Sequence, residues 1–214
     1  IPDLAEAGLL GPDYHVSHAN RLTTEELALM RDSGGMICAT TMGEFPYMMQ
    51  SYRGPSVHGR ARAAGVATGI GIDVPIALNG DYFEHIRASL WNHYLSEEGQ
   101  QIVQNYRSAD TLDFATALGA RAIRLGDVTG SISIGKRADL LLLDTDRIGF
   151  GMGGSLADRV VTFATTSDIN SVWISGKARK RNGRMLGVDW SNLKRKLSEA
   201  HNRVAKLAST INFS

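Results

Sequence analysis

Two short apolar runs in this sequence each end on a side chain that can move a proton. Gly65-Val-Ala-Thr-Gly-Ile-Gly-Ile-Asp73, followed by Val74-Pro75, reads as a buried strand with Asp73 at its carboxyl end. Tyr14-His-Val-Ser-His18 reads as another, ending on His18. In α/β proteins the carboxyl ends of parallel strands are where reacting groups are placed. A histidine beside an aspartate there suits proton transfer or metal-assisted hydrolysis. Taken singly, Asp73 serves equally well as a cap for the turn after it, and a lone histidine is more often structural. Their shared placement is what singles the pair out. His15 points to the opposite face of its run and reads as structural. His58, His85, His93 and His201 fall on predicted helices without ligand spacing and read as packing or surface residues.

The elements around these two residues follow from local chemistry. Val66, Ile70 and Ile72 give the Asp73 run its apolar, partly β-branched character, and Gly69 and Gly71 leave room for close neighbours. Pro75 lacks an N–H and biases Val74 away from helix, so pairing is expected to stop just after Asp73. Thr23 and Glu26 have capping-box spacing at the head of a helix that carries Leu27 and Met30 on its apolar face and ends at Gly34-Gly35. Met36 to Thr41 reads as a second apolar strand. Residues 42–55 form a longer loop holding Glu44, of the kind that often binds ligands. A short helix over 57–64 leads into the Asp73 run, and Phe83, Ile86, Leu90 and Tyr94 have helical spacing. This alternation of strand and helix predicts a parallel sheet with crossover helices.

Helices are expected from Glu97 to Leu125, burying Leu112, Ala115, Leu118 and Ala122. The character then changes. Gly130 to Asp144 reads as two short strands around Gly135-Lys136, Asn170 to Ser175 as another, and Asn182-Gly183 as a tight hairpin turn. Together these make a small antiparallel β module. Trp190 to Leu207 closes the sequence as an amphipathic helix with Leu193, Leu197, Val204 and Leu207 on its apolar side. The expected division is residues 1–125, 126–189 and 190–214.

Composition narrows the function classes. The 214 residues are 43% hydrophobic, enough for one good core or two small ones, and carry a formal net charge of +1. That balance argues against a global field for nucleic acid or membrane. The run Lys177, Arg179, Lys180, Arg181 and Arg184 lacks interleaved aromatics and reads as the solvent face of a hairpin. The single cysteine, Cys38, excludes an intrachain disulfide framework, fits a reducing compartment and reads as a buried, inert thiol. No run of about eighteen apolar residues and no signal peptide occurs, so a cytoplasmic location is expected. Gly149-Phe-Gly-Met-Gly-Gly154 matches a bare dinucleotide pattern, but Thr145 to Ile148 separate it from the preceding strand and the glycines read as loop.

Several stretches together resemble the amidohydrolase superfamily, in its cytosine-deaminase and chlorohydrolase-like branch. They are Val16-Ser-His-Ala-Asn20 with Leu22-Thr-Thr-Glu-Glu-Leu27, Ala64-Gly-Val-Ala-Thr-Gly-Ile-Gly-Ile-Asp73, and Ala115-Thr-Ala-Leu-Gly-Ala-Arg-Ala122. Gly130-Ser-Ile-Ser-Ile-Gly-Lys-Arg-Ala-Asp-Leu140, Asp168-Ile-Asn-Ser-Val-Trp-Ile-Ser-Gly176 and Asn182-Gly183 complete the set. The resemblance implies an α/β fold, the C-terminal portion of a (β/α)8 barrel (strands six to eight), with the β module and C-terminal helix appended. His18 would match the strand-six histidine that contacts substrate. Asp73 would match the strand-eight aspartate that binds a Zn or Fe divalent ion and takes a proton from the attacking water. Thr41 and Glu44 would lie near the substrate, a nitrogen heterocycle losing ammonia or chloride.

The same resemblance brings an expectation of absence. The family's His-x-His pair and its further metal histidine have no counterpart in this sequence. The sequence begins with Ile1, and Leu9-Leu10-Gly11-Pro12 reads as a helix end, so the chain is expected to be part of a longer polypeptide. It is then expected to need the missing N-terminal half of the barrel or a second copy of itself, and to be inactive alone. The alternative function is a non-catalytic structural or interaction fragment of the same fold without a metal site.

Overall fold

The computed structural model describes residues 1–44, 57–75, 77–95, 106–151 and 153–210. Three short strands, β1 (His15–Ser17), β2 (Met36–Ala39) and β3 (Ala67–Ile70), form a parallel sheet in sequence order. Helix α1 (Pro2–Glu6) precedes it, and the crossovers run through α2 (Thr24–Ser33) and α3 (Val57–Ala64). Thr23 caps α2 in a reciprocal box with Glu26, and Gly34 ends it in the left-handed conformation at φ 75°. The loop expected over 42–55 falls outside the described residues beyond Glu44.

Register puts His15, Met36 and Ala67 side by side, and Ser17, Cys38 and Gly69 one step further along the same face. The other face carries Val16, Ile37, Ala39 and Thr68. Leu27 and Met30 of α2 and Val57 and Ala61 of α3 close over it, burying Ile37 and Ala39 completely. The helices lie on this outer side of the parallel sheet, and the face carrying His15, Met36 and Ala67 is turned inward, away from α2 and α3.

Helix α4 (Tyr82–Leu95) and helices α5 (Ser108–Ala115) and α6 (Ala117–Ala122) follow. Phe83 and Ile86 are buried in a second cluster with Ile70, Tyr106 and Phe114, whereas Tyr94 is half exposed. Helix α6 comes against the inward face of the sheet. A Cβ at Gly69 would lie 2.9 Å from Gly119 Cα, so two glycines permit the contact. Part of the inner face is therefore covered, although Ile123 stays 60% exposed. Of the expected stripe, Ala122 is buried and Leu112, Ala115 and Leu118 are half-buried, while Phe114, Thr111 and Ala120 take the deep positions.

The second sheet is antiparallel, β4 (Leu140–Leu143), β5 (Ile169–Ile174), β6 (Lys177–Arg181) and β7 (Arg184–Met185), with α7 (Leu156–Phe163) between β4 and β5. Residues 130–139 do not form the expected strand. Ile132 and Ile134 are almost fully exposed, so their alternation buries nothing, and Gly130 and Gly135 turn the chain at φ 90° and 91°. Lys136 Nζ ties the segment down by donating to Gly126 O at 2.5 Å and Ser131 Oγ at 2.8 Å. The Gly149–Gly154 stretch begins in a 3-10 turn that buries Phe150 in the core.

Specific polar contacts join the β module to the helices. Asp81 Oδ1 accepts from Phe83 N at the start of α4, and Oδ2 accepts from Thr166 N, each at 3.0 Å. Arg87 donates to the carbonyls of Thr162 and Ala164, both at 2.9 Å. Arg147 makes a two-point pair with the buried Asp168, whose carboxyl the guanidinium holds below its ordinary value. Helix α8 (Trp190–Ala208) buries none of its residues, and Leu197, Val204 and Leu207 lie on its exposed surface. Among the described residues no helix is long and apolar enough to cross a membrane.

The buried histidines sit outside the sheet. His58 stacks on Phe114 at 4.6 Å between centroids; its Nε2 donates to Gly69 O at 3.0 Å and its Nδ1 accepts from Ser89 Oγ at 2.9 Å. His93 Nδ1 donates to Ser89 O at 2.7 Å, and its ring lies 4.0 Å from that of Tyr106. Complete burial pushes His58 from 6.5 down to about 4, and burial lowers His93 as well. Because the folded value lies below the free one, the unfolded chain binds the extra proton. This contribution to stability is complete above about 6.5 and is lost as the pH falls toward 4. Urea unfolding is expected to show about 2 kcal/mol less stability at pH 5 than at pH 7.5. His58→Gln should flatten that dependence, and a wild-type stability unchanged between the two pH values would contradict this reading.

Candidate functional site

The site forms where the three parallel strands release the chain at their carboxyl ends. β1 stops at Ser17, and His18 N makes one more sheet-like bond, to Cys38 O at 2.8 Å. His18 and Ala19 then adopt left-handed backbone angles, φ 68° and 61°, which turn the imidazole over the rim. On the other side, β3 ends at Ile70, earlier than the sequence suggests. Gly71 N makes the last bond, to Ala39 O at 2.8 Å, and Asp73 sits at φ 65°. A Cβ at Gly71 would come within 2.8 Å of Cys38 Sγ, so glycine keeps the exit from the sheet open.

Both departures bring the side chains together. His18 Nε2 lies 3.8 Å from Asp73 Oδ2, with the His18 side chain 18% and that of Asp73 32% exposed. The pair is thus reachable from solvent, while Asn20, Thr40 and Glu44 beside it are buried. Glu44 closes the other side of the imidazole, its Oε1 at 3.4 Å from His18 Nδ1. The same oxygen accepts from Thr40 N at 2.7 Å, and the turn is fixed by Glu44 N donating to Thr40 O at 3.0 Å. Burial pushes the Glu44 carboxyl up, opposed by the Thr40 amide, the Asn20 carboxamide and the His18 ring.

Thr41 lies beside this constellation but turns away from it. Its hydroxyl donates to His85 O at 2.7 Å, and its carbonyl accepts from Asn92 Nδ2 at 3.0 Å, so it anchors the turn to α4. Cys38 lies under the rim, where burial and the carboxylates of Glu44 and Asp73 all raise its thiol, the condition of an unreactive sulfur. Asn20 and Tyr82 belong to the site's support and were not singled out from the sequence. Asn20 Oδ1 accepts from Val57 N at 3.1 Å, tying the loop after His18 to α3. Tyr82 Oη donates to Ile70 O at 2.9 Å, holding the end of β3. The asparagine was visible only as a polar residue inside an otherwise recognisable stretch, and the tyrosine gave no local signal.

What the rim can do chemically is set by this donor set. An imidazole and a carboxylate on opposite sides of a small gap can pass a proton and polarise a bound group. As a metal site the set is incomplete: among the described residues no three His, Cys, Asp or Glu side chains are arranged so that they could hold a metal ion. A structural or catalytic zinc takes at least three protein ligands, so the described residues do not by themselves fit an ion. A concavity of about 600 Å³ lies at the opposite end of the sheet against Met36, Ala67, Arg121 and Lys136 and contains neither His18 nor Asp73.

Known proteins match this chain in sequence and in shape. The amidohydrolase family profile matches residues 22–179. A 5-methylthioadenosine/S-adenosylhomocysteine deaminase of Desulfitobacterium hafniense is 27% identical over 206 residues, which is 96% of this chain and 45% of that protein. Its counterpart in Desulforamulus reducens is 31% identical over 145 residues, 67% of this chain and 32% of the relative. The chain therefore spans less than half the length of these relatives. Among solved structures, a zinc-bound adenosine deaminase from Xanthomonas campestris superposes with a TM-score of 0.84 at 25% identity, covering 96% of this chain and 45% of that one. An atrazine chlorohydrolase variant from Arthrobacter aurescens, complexed with zinc and atraton, shares the fold with a TM-score of 0.79 at 17% identity, over 92% of this chain and 42% of that one. With the family's stretches matched across most of its length and two rim residues at the carboxyl ends of parallel strands, this α/β chain belongs to the amidohydrolase family.

Proposed function

We infer that the chain is strands six to eight of a (β/α)8 barrel, with its β module and C-terminal helix, from an enzyme that hydrolyses a C–N or C–Cl bond of a nitrogen heterocycle. Domain limits of 1–125, 126–189 and 190–214 go with that reading. The observation that carries it is the approach of His18 Nε2 to Asp73 Oδ2 at 3.8 Å across the rim. The relatives named as deaminases of adenosine and of thioether nucleosides favour deamination of a purine-like ring, with ammonia as the leaving group.

In this reading Asp73 accepts the proton of the attacking water and returns it to the departing amine. His18 presents Nε2 to the reacting centre, where its lone pair accepts a proton and the resulting imidazolium stabilises the charge that develops. Asp73 is also the side chain that would ligate a zinc or iron ion, whose Lewis acidity makes water acidic enough to ionise near neutral pH. The remaining ligands have no counterpart among the described residues, so the missing N-terminal half of the barrel, or a second copy of the chain, is the partner the reading requires. Thr41 and Glu44 border the substrate from the turn after β2, Thr41 by fixing that turn to α4 and Glu44 from behind His18. The second reading, a non-catalytic fragment of the same fold, is supported by the lack, among the described residues, of a side-chain group that could hold a metal ion.

Two measurements follow. Zinc titrated into the isolated chain is expected to bind no tighter than roughly micromolar, and a stoichiometric site of higher affinity would contradict the partial-site reading. In the complete polypeptide, Asp73→Asn is expected to lower heterocycle deamination by at least about 10³-fold, the scale of losing a general base with its charge. Near-wild-type turnover by that variant would remove Asp73 from the chemistry.

A further inference from the structure

We propose that Glu44 is a positioning residue which fixes the proton of His18 on Nδ1, leaving Nε2 as the nitrogen that works at the rim. This rests on the reading of His18 as a group that meets substrate, and deepens it. Glu44 is only 4% exposed, yet it lies four residues past Thr40 in a turn that a neutral side chain would close as well. Its Oε1 does two things at once. It accepts the Thr40 amide at 2.7 Å, which fixes the oxygen in place, and it sits 3.4 Å from His18 Nδ1. An ionised carboxylate is acceptor-only, so the contact is a hydrogen bond only when Nδ1 carries the hydrogen. The opposite nitrogen faces Asp73 at 3.8 Å.

The surroundings of Glu44 leave it little else to do. Its Oε2 and the nearby Nδ2 of Asn20 are buried short of a well-formed hydrogen bond among the described residues, although the Asn20 carboxamide helps favour the charged carboxyl. The Asn20 carboxamide is fixed through Oδ1 by Val57 N, and its backbone carbonyl accepts from Arg60 at 2.6 Å, so this wall of the site is held by α3. A buried carboxylate is costly unless it is bonded on both oxygens or neutralised. Retaining one at this spot is explained by the orientation it imposes on the ring. His18 also needs an external hold, because its backbone lies in the left-handed region where the side chain leaves the sheet surface. The arrangement is the familiar one in which an imidazole nitrogen is held by a carboxylate so that the other nitrogen is the one presented to the site.

The tautomer is read directly by long-range ¹H–¹⁵N correlation spectra of the ¹⁵N-labelled 214-residue chain, at a pH where the ring is neutral. The expected result is an Nδ1–H ring at His18 in the wild type and in Glu44→Gln, which keeps an acceptor. Glu44→Ala should shift His18 to Nε2–H or to a mixture. An Nε2–H ring in the wild type would overturn the proposal even if no variant folds, as would an unchanged Nδ1–H ring in folded Glu44→Ala. In the complete polypeptide Glu44→Ala is expected to lower kcat by about 10–100-fold with little change in KM, and Glu44→Gln by less. The spectra do not depend on turnover. An Nδ1–H ring in a chain whose complete form deaminates nothing would leave the positioning role standing and remove the assigned reaction instead.

Discussion

Two backbone hydrogen bonds to adjacent carbonyls of one strand decide where the chemistry of this chain can be. His18 N donates to Cys38 O and Gly71 N donates to Ala39 O, each at 2.8 Å. The middle strand thus holds the first residue past β1 and the first residue past β3 at its own carboxyl end. A register slip of one residue in either pairing would invert the faces and send His18 or Asp73 away from the other. The apolar set makes such a slip expensive, because Ile37 and Ala39 are completely buried under α2 and α3. Burial of the outer face therefore fixes the geometry of the rim.

The rim is supported from behind by polar groups that are themselves satisfied by the fold. His58 donates to Gly69 O and Tyr82 donates to Ile70 O, so the last two carbonyls of β3 are both held by side chains from the flanking helices. Their burial shifts them in the sense that keeps them neutral, His58 down to about 4 and Tyr82 up to about 12. Neutral donors at these positions fix the strand end without placing a charge beside Asp73. The glycines complete the arrangement, since Gly69 admits Gly119 of α6 and Gly71 admits the Cys38 sulfur.

Much of this was legible in the sequence because the signals were local. Thr23 with Glu26 announced the start of α2, Gly34 its end, and the helix over 57–64 and the Asn182-Gly183 hairpin turn follow from equally short patterns. The convergence of His18 and Asp73 was legible because parallel strands place their ends on one rim. The failures have a common cause in tertiary packing. Ile132 and Ile134 alternate like a strand but have no surface to cover them. Asp73 lies beyond the paired residues because the left-handed angles at the rim are set by the site rather than by propensity. The turn carrying Thr41 is held by a contact from its hydroxyl to a carbonyl 44 residues away that no local pattern announces. Asn20, Tyr82 and His58 act through contacts of the same long-range kind.

The convergence of the imidazole of His18 with the carboxylate of Asp73 is the claim on which the site depends. Nuclear Overhauser spectra of the isotopically labelled chain test it most directly. A cross-peak between the His18 ring Hε1 and the Asp73 β protons is the expected result, alongside the parallel-strand contacts that join residues 15–17, 36–39 and 67–70. Those strand contacts without the ring-to-carboxylate cross-peak would contradict it.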